Sequence, residues 1–169
     1  MTTFPAPSLA LAGYVLAHAA WSISEAEGDE ILCPLAIVEY RDGARRLRRF
    51  EADTQEAAII AGKDAMHDAS SEAAAWAFAR EGAWRKMDAD MSGDVLAIDF
   101  WATGMPDIAT FIQPFHRASR GGRFRIGGVP TLVAGDKLLL REAADPVIQA
   151  IVAGVDAHIV VAKLWPTWR

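Results

Sequence analysis

The chain has 169 residues, 52% hydrophobic and 23% charged, with a formal net charge of −5 and one cysteine. One domain over residues 1–169 is the simplest partition, long enough to bury roughly two-thirds of its unfolded surface without a staple, and the composition excludes a disordered chain. The lone Cys33 excludes an intramolecular disulfide and a multi-cysteine zinc site, and points to a reducing, cytoplasmic compartment.

Leu9 to Trp21 reads as a short buried helix. Its Ala17-His18-Ala19 has the spacing of a signal-peptidase site, but no Lys or Arg precedes it, so the segment reads as a mature helix. No uninterrupted apolar run reaches the roughly 18 residues of a membrane span, and no membrane contact is expected. Gly28 to Glu30 is a polar turn. Ile31 to Tyr40 is a strand with Pro34 at its edge or beginning. Asp42-Gly43 signals a two-residue hairpin, with Ala44 to Glu51 returning antiparallel. The return strand carries Arg45 and Arg49 on one face and Arg46 and Arg48 on the other, which suits a sheet edge.

Asp53 with Glu56 resembles a capping box ahead of a helix over about 54–67. Ala74 to Glu81 alternates Trp76, Phe78 and Arg80 against alanines, a strand period. Trp84 to Gly93 is an acidic loop. Asp94 to Thr103 is the central strand, with Leu96, Ile98 and Phe100 on one face and Val95, Ala97 and Trp101 on the other. Pro106 suits a helix start, yet Pro114 opposes a long helix, so Ile108 to His116 reads as a strand. Arg123 to Val133 holds strand pieces broken by Gly127-Gly128 and Pro130, and Gly135-Asp136 turns into Lys137 to Arg141. Asp145 and Pro146 open a long apolar helix over about 145–164, stopped by Pro166. Its apolar residues cover more than half the circumference, so it is either deeply buried or shared with a second copy. The class expected is α+β: a mainly antiparallel sheet with an N-terminal, a middle and a long C-terminal helix.

Asp99-Phe100-Trp101-Ala102, Pro114 and Gly128-Val129-Pro130-Thr131 resemble pieces of thioredoxin. The resemblance implies a strand leading into a redox site, an interrupted helix and a cis-proline. Where the redox cysteines would stand, the chain reads Thr103-Gly104-Met105-Pro106, so thiol exchange is not implied.

Charge is the one pointer to a partner. Nine of the seventeen basic residues fall in Arg41–Phe50 and Arg117–Arg125; each run nets +4, leaving −13 on the rest. Arg forks bind carboxylate and phosphate bidentately, so Arg46, Arg48, Arg117, Arg120, Arg123 and Arg125, with Trp101 for stacking, are the candidate ligand-binding residues. Nucleic acid ranks lower because the chain is acidic overall. Arg outnumbers Lys thirteen to four and Asn is absent, which reads as codon usage of a GC-rich, bacterial type.

Asp99, inside an apolar strand, and His116, beside Arg117, are the candidate catalytic groups, since a buried carboxylate must be paired or protonated. His67 lies near Asp64 and Asp68 but lacks a second cluster, so no metal is expected. Asp88, Asp90 and Asp94 mimic a calcium loop, but its twelfth position is Asp99 rather than Glu. Cys33 reads as a structural thiol. No cofactor motif is present.

Three functions follow, in order. The first is a non-enzymatic protein acting through protein contacts (accessory, regulatory or toxin-neutralising), self-associating through its C-terminal helix. The second is a binder of an anionic small ligand or nucleic acid through the Arg runs. The third is an enzyme with a pocket near Asp99, Trp101 and His116.

Overall fold

Strand alternation sorts side chains onto two faces of one sheet, and the two faces are covered differently. The computed structural model describes residues 4–84, 93–118, 122–140 and 145–169. In chain order the described elements are α1 (Ala6–Glu25), β1 (Leu35–Tyr40), β2 (Arg45–Arg49), α2 (Gln55–Ala69), β3 (Ala73–Trp84), β4 (Gly93–Ala102), β5 (Ala109–His116), β6 (Arg125–Ile126), β7 (Thr131–Ala134), β8 (Lys137–Leu140), α3 (Pro146–Val155) and α4 (Val161–Trp168). The strands form one antiparallel sheet in the order β2-β1-β3-β4-β5-β7-β8, with β6 beside β5. The α+β class is as expected.

On one face Leu35 and Ile37, Ala75, Ala77 and Ala79, Leu96, Ile98 and Phe100, and Phe111 and Phe115 meet α1, α3 and α4 in the larger core. The alanines of β3 leave room for α1, which crosses β3 and β4 and is backed by α3. That explains why α1 is apolar nearly all round. By length and composition α1 would suffice to cross a membrane, and 61% of its most apolar stretch is buried inside this fold. It runs further both ways than Leu9 to Trp21, with a proline in its first turn, where the missing N–H costs nothing. On the opposite face Ala36, Val38, Phe50, Met66, Trp76 and Phe78 form a smaller core beneath α2.

Several expectations are corrected. Tyr40 and Ala44 pair, so the hairpin loop is the three residues Arg41-Asp42-Gly43, with Gly43 at φ 87°. β2 is the edge strand foreseen, and all five of its residues are exposed. The cap of α2 is Thr54 rather than Asp53, its hydroxyl accepting from the Ala57 N–H. Residues 109–116 are a strand, and Pro114 stands where the outer neighbour of β5 changes from β7 to β6. A residue with no N–H to donate fits such a break.

The C-terminal helix is two short helices. After Val155 the chain turns through Asp156–His158 on i→i+3 hydrogen bonds, and the β-branched Ile159 and Val160 follow, both weak helix formers. The bend lets Trp168 reach Phe124, ring centroids 4.9 Å apart. Ile148, Ile151 and Val155 are buried within the chain, while Ile159 is exposed. The apolar circumference is thus covered within the chain at Ile148, Ile151 and Val155 and left open at Ile159 and Val160.

The thioredoxin resemblance is confined to the tetrapeptides. β4 is antiparallel to both neighbours, Thr103–Gly104 is a turn rather than a helix start, and among the described residues no peptide bond is cis.

Candidate functional site

The uncovered margin of α2 leaves a groove over the sheet. Its cavity of about 260 Å³ is lined by Lys63 and Met66 of α2, Trp76, Phe78 and Arg80 of β3, Asp99 of β4, Thr110 of β5 and Ile108 before it. Register builds it. Asp99 stands opposite Phe78 on one side and Thr110 on the other, and Arg80 is its diagonal neighbour, within reach of a long side chain. Arg80 donates to Asp99 Oδ2, and the Thr110 hydroxyl donates to Oδ1 at 2.6 Å. Asp99 is thus a buried but doubly partnered carboxylate that fixes Arg80 at the groove.

α2 comes close enough to form the other wall because Gly62 lies on Phe78, where a Cβ would overlap the ring. Trp76 donates its indole N–H to the Ser70 hydroxyl at 2.9 Å and stacks on Trp101 with centroids 6.4 Å apart. The floor is therefore rigid and aromatic. Two cations, Lys63 and Arg80, face one carboxylate, a net charge of +1. An apolar floor with a few fixed polar groups is the usual make-up of a small-molecule site.

The sequence candidates do not converge there. Asp99 lines the groove and Trp101 backs it. His116 is six residues along β5 from Thr110, which at the rise of a strand is about 20 Å, and it does not line the groove. A pocket shared by Asp99, Trp101 and His116 is not what the fold builds. The two Arg runs are also apart: β2 and β5 are separated by β1, β3 and β4, or about 19 Å at the usual strand spacing. Arg46 lies over Tyr40 and Arg48 over Phe50, and Arg123 and Arg125 are exposed.

Arg117 is corrected most. It is buried, gives two hydrogen bonds to the Glu81 carboxylate and one to the Glu30 carbonyl, and has Asp94 at 3.4 Å. It is a clamp between strands rather than a ligand group. Arg120 and the calcium-like Asp88 and Asp90 lie outside the described residues. His67 is exposed at the end of α2, and among the described residues no group of three His, Cys, Asp or Glu is placed to hold a metal. The Cys33 thiol, half-buried, donates to the Phe50 carbonyl at 3.5 Å.

A second cleft, of about 360 Å³, opens on the α1 side of the sheet beside His18, Trp21, Glu25, Glu30, Cys33 and Arg49. His18 Nδ1 is 3.2 Å from Nε2 of His158, which lies in the turn between α3 and α4. Burial lowers the pKa of His18, helped by His158 and Arg49, and burial lowers that of His158. The unfolded chain therefore takes up protons first. The stability contributed is complete above about pH 6.5, falls as pH drops from there through the folded values, and is flat below them. Urea midpoints of the wild type are expected to fall between pH 7.5 and 5.5, and to fall less in the His18→Gln, His158→Gln double variant. Equal slopes for the two proteins would contradict this.

Lys63, Thr110, His18, His158 and Arg49 were missed as site residues. The Trp76-Phe78-Arg80 alternation does show those three on one face, but nothing local shows that Asp99 joins them. Comparison of the chain with protein-family models, with curated proteins and with solved structures gave no match.

Proposed function

We propose that this chain is a binding protein for a compact organic acid, held in the groove between α2 and the sheet. One observation carries the reading: an aromatic and aliphatic floor (Trp76, Phe78, Met66, Ile108) lies under two cationic side chains, and the carboxylate of one wall already orients Arg80. A ligand with an apolar body would lie against the exposed Ile108, over a floor whose Met66, Trp76 and Phe78 are already almost wholly buried. Its single anionic group would take Lys63 and the remaining N–H groups of Arg80, which a guanidinium offers in a planar fork. The net +1 favours a monoanion. The anionic-ligand expectation is kept, with its residues moved from the Arg runs to Lys63 and Arg80. A reducing, cytoplasmic setting belongs to the same proposal.

Calorimetric titration with phenylacetate and its neutral amide tests it. Phenylacetate is expected to bind at least about tenfold tighter than phenylacetamide, a difference of about 1.4 kcal/mol. Lys63→Glu, an exposed change, is expected to remove that preference as read at the Trp76 indole signal in the groove. Equal binding of acid and amide at that signal, or a preference there that survives Lys63→Glu, would overturn the reading.

A further inference from the structure

The second cleft lies on the other face of the sheet and shares no lining residue with the groove. The backbone N–H of Val161 lies 3.3 Å from His158 Nδ1. An N–H only donates, so Nδ1 is the bare nitrogen of a neutral imidazole and Nε2 carries the proton. Nε2 then donates to His18 Nδ1 at 3.2 Å. That places the single proton of neutral His18 on its Nε2, which lines the cleft and stands 3.4 Å from an Arg49 guanidinium nitrogen. Guanidinium has no acceptor. Two donors therefore face each other in the cleft, with no acceptor bridging them among the described residues. Giving His18 the other tautomer only moves the conflict inward, to two N–H groups meeting between the imidazoles.

We propose that the cleft beside α1 and the β2 edge is an anion site, in which a carboxylate oxygen of a small organic acid bridges His18 Nε2–H and the Arg49 guanidinium. An acceptor at that point satisfies both donors at once. Trp21 and Leu32 supply apolar wall for the body of the acid. The carboxylates of Glu25 and Glu30 also line the cleft, and Glu25 accepts the Trp21 indole N–H at 2.9 Å. With the imidazoles neutral, Arg49, Glu25 and Glu30 net −1, which opposes a phosphate dianion more strongly than a monoanion. Tyr14 packs on the His158 ring, centroids 5.1 Å apart, and the guanidinium of Arg45 from β2 lies over the Tyr14 ring.

Nitrogen-15 spectra of the histidine rings, recorded at pH 7 with acetate added as the probe, test this. The free protein is expected to show bare Nδ1 and protonated Nε2 on both His18 and His158. Acetate is expected to shift the His18 Nε2 signal saturably and to move the His18 titration upward, since an adjacent anion favours the imidazolium. Arg49→Gln, on an exposed edge strand, should weaken acetate at least about tenfold. Inorganic phosphate should bind more weakly than acetate. The opposite tautomer on His158, an acetate response unchanged in Arg49→Gln, or tighter binding of phosphate would each overturn the proposal. The groove variant Lys63→Glu should leave this response intact, which separates the two sites.

Discussion

Replacing Arg117 by methionine is expected to cost about 3–5 kcal/mol of folding stability, because it strands buried carboxylate charge. Arg117 and Glu81 have side chains only 5% and 8% exposed, and Asp94 is 13% exposed. Glu81 also accepts the Leu32 N–H at 3.0 Å, and Arg117 holds the Glu30 carbonyl at 3.0 Å. One ion pair therefore ties the lead-in to β1, and strands β3, β4 and β5, at one end of the sheet. Without the guanidinium, the Glu81 carboxylate is left buried without its charge partner, which opposes folding. One signature marks this cause. The double variant Arg117→Met, Glu81→Gln should recover most of it, since removing both partners is far milder than removing one, and the Gln oxygen still accepts from Leu32. Chemical denaturation measures each value. A variant as stable as wild type would return Arg117 to the surface role that its neighbours suggested.

The second large effect is at the crossing of α1 and α3. Gly13 and Gly154 bring two backbones together. A Cβ on Gly13 would overlap the Ile151 carbonyl oxygen and stand 2.8 Å from Gly154 Cα, and one on Gly154 would stand 2.5 Å from the Ala10 carbonyl oxygen. The obstacles are backbone atoms of helices already wedged between sheet and solvent, so no rotamer change relieves them. Either substitution must push the helices apart and open the contacts of Ile148, Ile151 and Val155. Gly13→Ala is expected to destabilise by about 3 kcal/mol or more, the upper range of overpacking. Helix propensity alone predicts the reverse sign, a gain of about 0.8–1.0 kcal/mol for Ala over Gly. The sign of the change in urea midpoint is therefore decisive, and a raised midpoint would show that the helices do not meet at these glycines.

What the sequence disclosed was local. The two-fold alternation of β4, the Arg-bearing edge β2 and the middle helix follow from patterns a few residues long. The C-terminal segment shows where such patterns stop: its apolar residues report burial, but not that the chain turns at Asp156–His158 to seat the tryptophans of α4. Proximity in sequence groups Arg117 with Arg123 and Arg125. Its real partner, Glu81, is thirty-six residues away and is reached only through strand pairing. The groove has the same history. Trp76, Phe78 and Arg80 share a face by alternation, and Asp99 stands out as an acid in an apolar strand. Their meeting depends on register, which a one-residue slip would reverse.

The most direct test of the account is amide and indole chemical-shift mapping of the protein titrated with phenylacetate. The Trp76 indole N–H and the backbone signals of Lys63, Arg80 and Thr110 are expected to move together along one saturable curve. Shifts confined to the exposed arginines of β2 or to Arg123 and Arg125, with the Trp76 indole unmoved, would contradict the groove as the binding site.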